Sequence, residues 1–154
     1  MIGRKNPYRD LEKALGYRFR QRRWLEQALT HPSFAHEQTP ELPDNQRIEF
    51  LGDAALGLVA AAFLHNTHPN ADEGKLTKMR SLLSNTKALA HLATRINLGS
   101  FLQLGNGEEH DGGRARPTIL ADALEAVIGA AYLDGGKKRW KKFSTASSNP
   151  TAAH

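Results

Sequence analysis

The segment over residues 45–65 constrains this chain more than any other. Its apolar residues fall on nearly every side of a helix, so the helix predicted there has almost no polar face for water and is expected to be central and buried. Gly52, Gly57 and Ala60 to Ala62 keep it slim enough for another helix to approach closely. Pro69 ends the segment. The same periodicity predicts short helices over residues 11–15 and 23–29, and further helices over 75–84 and 86–96, the last stopping at Asn97-Leu98-Gly99. A final helix is expected from Pro117 to about Leu133, closed by Gly135-Gly136. His31-Pro32 breaks the chain, residues 39–44 read as a Pro-rich loop, and residues 104–116, with four glycines and mixed charge, as another loop. Strand-like alternation is scarce. The prediction is one all-α domain over residues 7–136, followed by a basic tail over 137–154 without regular structure.

The absence of cysteine excludes disulfides and thiolate-held metals. Met1 to Asp10 is polar with no apolar stretch after it, so no signal peptide is read there. The richest apolar run, residues 54–64, is too short to span a bilayer. A cytoplasmic protein without a membrane partner is expected. The net charge of +5 is unevenly placed. Lys137, Lys138, Arg139, Lys141 and Lys142, with no acid after residue 136, account for the whole excess of 21 cations over 16 acids. Residues 4–23 hold eight cations against Asp10 and Glu12. Basic surface at both ends suits a polyanion, although a solvated charged surface would read the same way.

Acids interrupt two segments that otherwise look buried. Glu49 and Asp53 are four apart, and Asp122 and Glu125 are three apart, so each pair lies on one face of its helix among Ala, Ile, Leu and Phe. Ionised carboxylates in such a setting are costly, and paired ones repel. Two remedies are open. Cations such as Arg47, Lys78 or Arg80 neutralise them, or a divalent ion does. Four carboxylates without His or Cys suit a hard ion such as Mg2+ or Mn2+. If the two helices pack face to face, the four acids meet at one site, and such a site suits phosphate-ester hydrolysis, where the metal stabilises phosphate charge and acidifies water. His65 and His68 lack a carboxylate partner and are not read as a zinc site. Gly105-Asn106-Gly107, next to Glu108 and Glu109, is read as a flexible loop rather than a phosphate cradle. Arg114 and Arg116 are either contacts to phosphate groups or part of an exposed loop.

At these residues the chain resembles a known family. Asn45-Gln46-Arg47-Ile48-Glu49-Phe50-Leu51-Gly52-Asp53 is similar to the signature segment of the ribonuclease III family. Ala28-Leu29-Thr30-His31-Pro32-Ser33-Phe34, Asp72-Glu73-Gly74-Lys75-Leu76-Thr77 and residues 119–136 resemble further segments of that family in the same order. The resemblance covers about residues 10–136. It implies the ribonuclease III endonuclease-domain helical fold as a homodimer, with Glu49, Asp53, Asp122 and Glu125 binding Mg2+ (Mn2+ as substitute) and Asp53 and Glu125 as the catalytic residues. It implies that Phe50 plugs into the partner subunit. It implies cleavage of double-stranded RNA to 5′-phosphate and 3′-hydroxyl ends, as in rRNA and mRNA processing.

Two features depart from the family pattern. Gln46 stands where the family usually has glutamate, a residue that together with an acid at the position of Glu73 shapes the site and its RNA contacts. Gln46 keeps the size and one acceptor oxygen but loses the charge. The expectation is weakened or altered cleavage with metal binding retained; unchanged rate and unchanged cleavage-site choice in Gln46→Glu would contradict it. The eighteen residues after Gly136 are too few for the double-stranded-RNA-binding domain that usually follows, so none is expected here. Trp140 and Phe143 among the lysines read as the stub of a further helix, as disorder, or as an RNA-contacting tail. The alternative function is a non-cleaving double-stranded-RNA-binding protein of the same fold, and the retention of all four acids weighs against it. An unrelated all-α phosphohydrolase acting on nucleotides would share the carboxylates but would not need Phe50 or His31-Pro32.

Overall fold

A computed structural model describes the backbone of residues 6–146 and the side chains of residues 6–136. Eight α-helices follow one another among the described residues: α1 (Arg9–Leu15), α2 (Arg22–Ala28), α3 (Pro32–His36), α4 (Gln46–Thr67), α5 (Glu73–Ser84), α6 (Thr86–Arg95), α7 (Asn106–His110) and α8 (Pro117–Ala146). Single 3-10 turns at Leu98–Phe101 and Gly113–Ala115 flank α7. No strand forms among the described residues, and Thr30 and Gln103 make an isolated bridge. The all-α expectation holds.

Two helices organise the rest. α8 supplies the largest block of the core, from Ile119 through Ala131, and α2, α4 and α6 pack around it with Leu25, Ile48 and Leu89. The closest approach is between α4 and α8. A Cβ on Gly52 would lie 1.7 Å from the carbonyl oxygen of Glu125, and one on Gly129 would lie 2.3 Å from that of Ile48. The two backbones therefore touch, and only hydrogen atoms fit between them. This contact sets the distance between the acids on either helix.

The start of α4 is fixed separately. Asn45 is buried, its amide nitrogen donates to the Thr30 carbonyl at 2.9 Å, and its side chain donates to the Ala28 carbonyl at 3.2 Å. At the other end of α8, the buried Asp134 carboxylate accepts from the Tyr17 hydroxyl (2.9 Å) and from the backbone amides of Arg20 (2.9 Å) and Gln21 (2.8 Å). One side chain thus ties the end of the core helix to the α1–α2 turn.

Several expectations need correction. α4 is not buried all round. Phe50, Ala54, Leu58 and Ala62 form an exposed row four residues apart, and Phe50 is 81 % accessible. By length and composition α4, with a mean hydropathy of 1.5, is long and apolar enough to cross a membrane; its packing on α8 and α5 accounts for one side of that apolar surface. Residues 104–116 are not a flexible loop. α7 forms there, the Gly105 amide donates to Ser33 Oγ (2.9 Å), and the Asn106 amide donates to Glu37 (2.8 Å). Helix α8 does not stop at Leu133. It bends at Gly136, where φ is 61° and ψ 177°, and residues 137–146 are helical where no regular structure was expected. The remainder of the expected tail, residues 147–154, lies outside the described residues.

Candidate metal centre

The α4–α8 contact places Glu49, Asp122 and Glu125 together. One carboxylate oxygen from each lies within 4.8 Å of the others. Glu49 and Glu125 are half-buried. Among the described residues no ion pair joins a cation to any of these three or to Asp53. The neutralising role considered for Arg47, Lys78 and Arg80 is therefore not what the structure shows.

The electrostatics follow from that isolation. Burial, then the fields of Asp53, Glu49 and Asp122, push the Glu125 carboxyl up to about 7. Burial and the fields of Asp122, Asp53 and Asp44 raise Glu49 in the same direction. Burial also raises Asp122, with His31 pulling it back. Three acids that resist ionisation together form a site that a divalent cation would complete. The donor set is all oxygen, which suits a hard ion. Two oxygens bound to one Mg2+ at about 2.1 Å lie at most about 4.2 Å apart, so a small contraction of the trio is enough.

The sign of the pH dependence follows directly. A carboxyl whose folded pKa is raised above the 4.5 of the unfolded chain binds more protons folded than unfolded between about 4.5 and about 7. Its contribution to stability is lost as pH rises through that window. His31 acts oppositely, because burial pushes its imidazole down. The expectation is that, with EDTA present, the loss of stability from about pH 5 to about pH 7.5 is smaller in Glu125→Gln than in the wild type, read as urea midpoints. An identical pH slope in both proteins would contradict it.

Four converging acids were expected, and three converge. Asp53 is exposed. Its carboxylate is not among the three gathered within 4.8 Å, and its field raises both Glu49 and Glu125. Gln46 begins α4 and is exposed, its backbone N–H donating to Asp44 Oδ1 at 2.9 Å. Glu73 begins α5 and lines a cleft with Ala61, Leu64 and His65, near the opposite end of α4 from Gln46. Within one chain Gln46 and Glu73 therefore do not share a site. Phe50 is exposed on α4.

Other residues resolve plainly. Arg114 pairs with Glu109 at 2.6 Å and donates to the Gly99 and Leu102 carbonyls, and Arg116 pairs with Glu108 at 2.5 Å. Both pin the turn before α8. His65 and His68 bond to neighbouring Asn66 and Thr67, and no histidine joins a metal-binding group among the described residues. His31 caps α3 by accepting from the Ser33 amide at 3.2 Å, and its ring feels the charges of Glu108, Asp122 and Asp44. Gly129 and Asp134 matter to the site and were not singled out from sequence. Gly129 was hidden in an Ala-rich run, where a glycine reads only as a weak helix former.

An all-α domain whose two central helices carry carboxylates across a backbone contact has the architecture of a ribonuclease III nuclease domain. Residues 21–148 match the family model described as Ribonuclease-III-like, and the chain belongs to that family. It is 50 % identical over 127 residues to Ribonuclease 3 of Geobacter sulfurreducens, covering 82 % of this chain and 51 % of that one. It is 52 % identical over 126 residues to Ribonuclease 3 of Streptomyces coelicolor, covering 82 % and 45 %. The chain thus spans about half the length of these curated relatives. The crystal structure of the nuclease domain of ribonuclease III from Campylobacter jejuni superposes with a TM-score of 0.82 at 39 % identity, covering 97 % of this chain and 99 % of that one. A second structure of that domain, described for flexibility in a region involved in dimer formation, superposes equally well at 40 % identity, covering 92 % and 95 %.

Proposed function

We propose that this domain is the nuclease of a ribonuclease III-type endoribonuclease, acting as a cytoplasmic homodimer on double-stranded RNA in rRNA and mRNA processing. The observation that carries this reading is the trio Glu49, Asp122 and Glu125, gathered within 4.8 Å with no ion-paired cation among the described residues. Mg2+ is the proposed ion, with Mn2+ as substitute. Bound there, a divalent ion supplies Lewis acidity toward the phosphate oxygens and the attacking water. Glu125 and Glu49 hold the ion from opposite helices, Asp122 closes the set, and Asp53 adds negative field at the solvent edge. The products are 5′-phosphate and 3′-hydroxyl ends. The test compares labelled duplex RNA, the same RNA single-stranded, and free nucleotides, each with Mg2+. Cleavage confined to the duplex is expected, and hydrolysis of nucleotides alone would overturn the reading.

The exposed row on α4 supports the dimer. If α4 pairs antiparallel with its copy across Gly57, then Phe50, seven residues before that point, faces the level of Leu64, seven residues after it. A cleft of about 200 Å3 lies there, lined by Ala61, Leu64, His65 and Leu76, and it suits the Phe50 ring. Glu73 lines the same cleft, so this pairing also carries the partner's Glu73 toward Gln46. Burying two Phe50 rings contributes about 3 kcal/mol or more to association. Phe50→Glu is expected to weaken the dimer at least about 100-fold, read by sedimentation equilibrium. Undiminished dimerisation would exclude this face.

A further inference from the structure

The two basic runs of the sequence lie far apart in the chain, and the fold joins them. Asp134 holds the backbone amides of Arg20 and Gln21 and the hydroxyl of Tyr17. Lys137 follows three residues later, within about 11 Å of Asp134 even for a fully extended chain. The helical segment bearing Lys137, Lys138, Arg139, Lys141 and Lys142 therefore leaves the domain beside the α1–α2 turn.

That turn and its helices are themselves basic. Arg9, Lys13, Arg18, Arg20, Arg22 and Arg23 are all exposed, and among the described residues none makes an ion pair. The six cations outnumber the four nearby acids, Asp10, Glu12, Glu26 and Asp134. Glu12 accepts from Asn6 and the Phe19 amide, and Asp134 from its three donors, so these two carboxylates are turned toward the chain rather than toward the cations. Arg9, Lys13 and Arg18 line one side of an open groove of about 590 Å3. Arg23 stacks its guanidinium 4.7 Å from the centre of the Trp24 ring, which holds the charge at the surface. None of the exposed large hydrophobic residues lies on α1 or α2, so this surface has no apolar face for a lipid bilayer.

The surface is also separate from the carboxylates. Glu125 and Asp134 are nine positions apart on α8, about 13 Å along the helix. We infer that the basic surface of α1 and α2, at the point where the chain continues into the basic sequence Lys137 to Lys142, grips the sugar–phosphate backbone of duplex RNA outside the cleavage centre. The inference rests on the double-stranded-RNA reading of the metal centre. It adds a second point of contact, independent of base sequence, which lengthens the stretch of duplex the domain holds.

The test uses the full chain carrying Glu125→Gln, so that binding is read without cutting. One variant adds Arg18→Gln, Arg20→Gln, Arg22→Gln and Arg23→Gln. A second adds Lys137→Gln, Lys138→Gln, Lys141→Gln and Lys142→Gln. A control adds Lys87→Gln and Arg95→Gln on α6. Affinity for a short and a long RNA duplex is measured across a salt series, with circular dichroism confirming the fold. Both test variants are expected to lose about tenfold or more in affinity for the long duplex, with the salt slope reduced by about 3 to 4, close to one per lost phosphate contact. The short duplex and the control are expected to change little. Unchanged long-duplex affinity and slope in both variants, with the parent binding well, would overturn the inference and leave the nuclease reading intact. A parent that binds no duplex would overturn both, and vesicles containing phosphatidylserine, included in parallel, would show whether the surface serves a membrane instead.

Discussion

Gly52→Val is expected to unfold the α4–α8 contact and abolish the metal centre together. Even the first added carbon would sit 1.7 Å from the carbonyl oxygen of Glu125 and 3.0 Å from the Gly129 amide nitrogen. Both obstacles are backbone, so no rotamer change relieves them. The helices must separate, and the core around Ile48, Leu124 and Val127 loses its fit. Overpacking against movable side chains costs about 1–3 kcal/mol, and a backbone obstacle lies at or beyond the top of that range. Against a total stability of about 5–15 kcal/mol, a loss of about 3 kcal/mol lowers Tm by about 10 °C. Gly52→Val is expected to show that shift by calorimetry and to lose the Mg2+-dependent part of its stability. A variant with wild-type Tm and wild-type Mg2+ response would mean that the helices do not touch as described.

Glu125→Gln is expected to remove cleavage while leaving the fold and the dimer in place. Glutamine has nearly the same volume and keeps one acceptor oxygen, but it offers no charge to a cation. Glu125 is also the member of the trio most strongly affected by its neighbours, held near 7 by burial and three nearby acids. Its removal relieves that repulsion, so the metal-free variant is expected to be at least as stable as the wild type. The loss of rate is expected to be on the order of 10²–10³-fold, the scale for deleting one element of transition-state charge stabilisation. Single-turnover cleavage of a duplex with Mg2+ measures it. A loss of tenfold or less would move the chemistry away from this residue.

The sequence made some of this architecture legible and hid the rest for identifiable reasons. Long helices carry several turns of periodicity, so α4 and α8 are readable, and acids set in apolar helices stand out because burial penalises them. Five-residue helices carry too little pattern, so α3 and α7 were read as a chain break and a loop. The row Phe50, Ala54, Leu58, Ala62 reads as core until the fold leaves it exposed, with none of the other described residues covering it. Spacing put Glu49 and Asp53 on one face, but which of the four acids come within 4.8 Å of one another depends on how α4 and α8 pack, which spacing does not contain. The role of Asp134 depends on residues 114 and 113 positions away, which no local pattern contains. The same tether joins two basic segments that in sequence look like unrelated ends.

The most direct measurement is cleavage of a long labelled RNA duplex by the wild-type chain at low salt, with Mg2+, with Mn2+ and with EDTA, followed by analysis of the fragment ends. Short fragments bearing 5′-phosphate and 3′-hydroxyl ends with either metal, and intact duplex with EDTA, are the expected result. A folded, dimeric protein that binds the duplex yet leaves it intact with both metals would contradict the assignment of Glu49, Asp122 and Glu125 as a working metal centre.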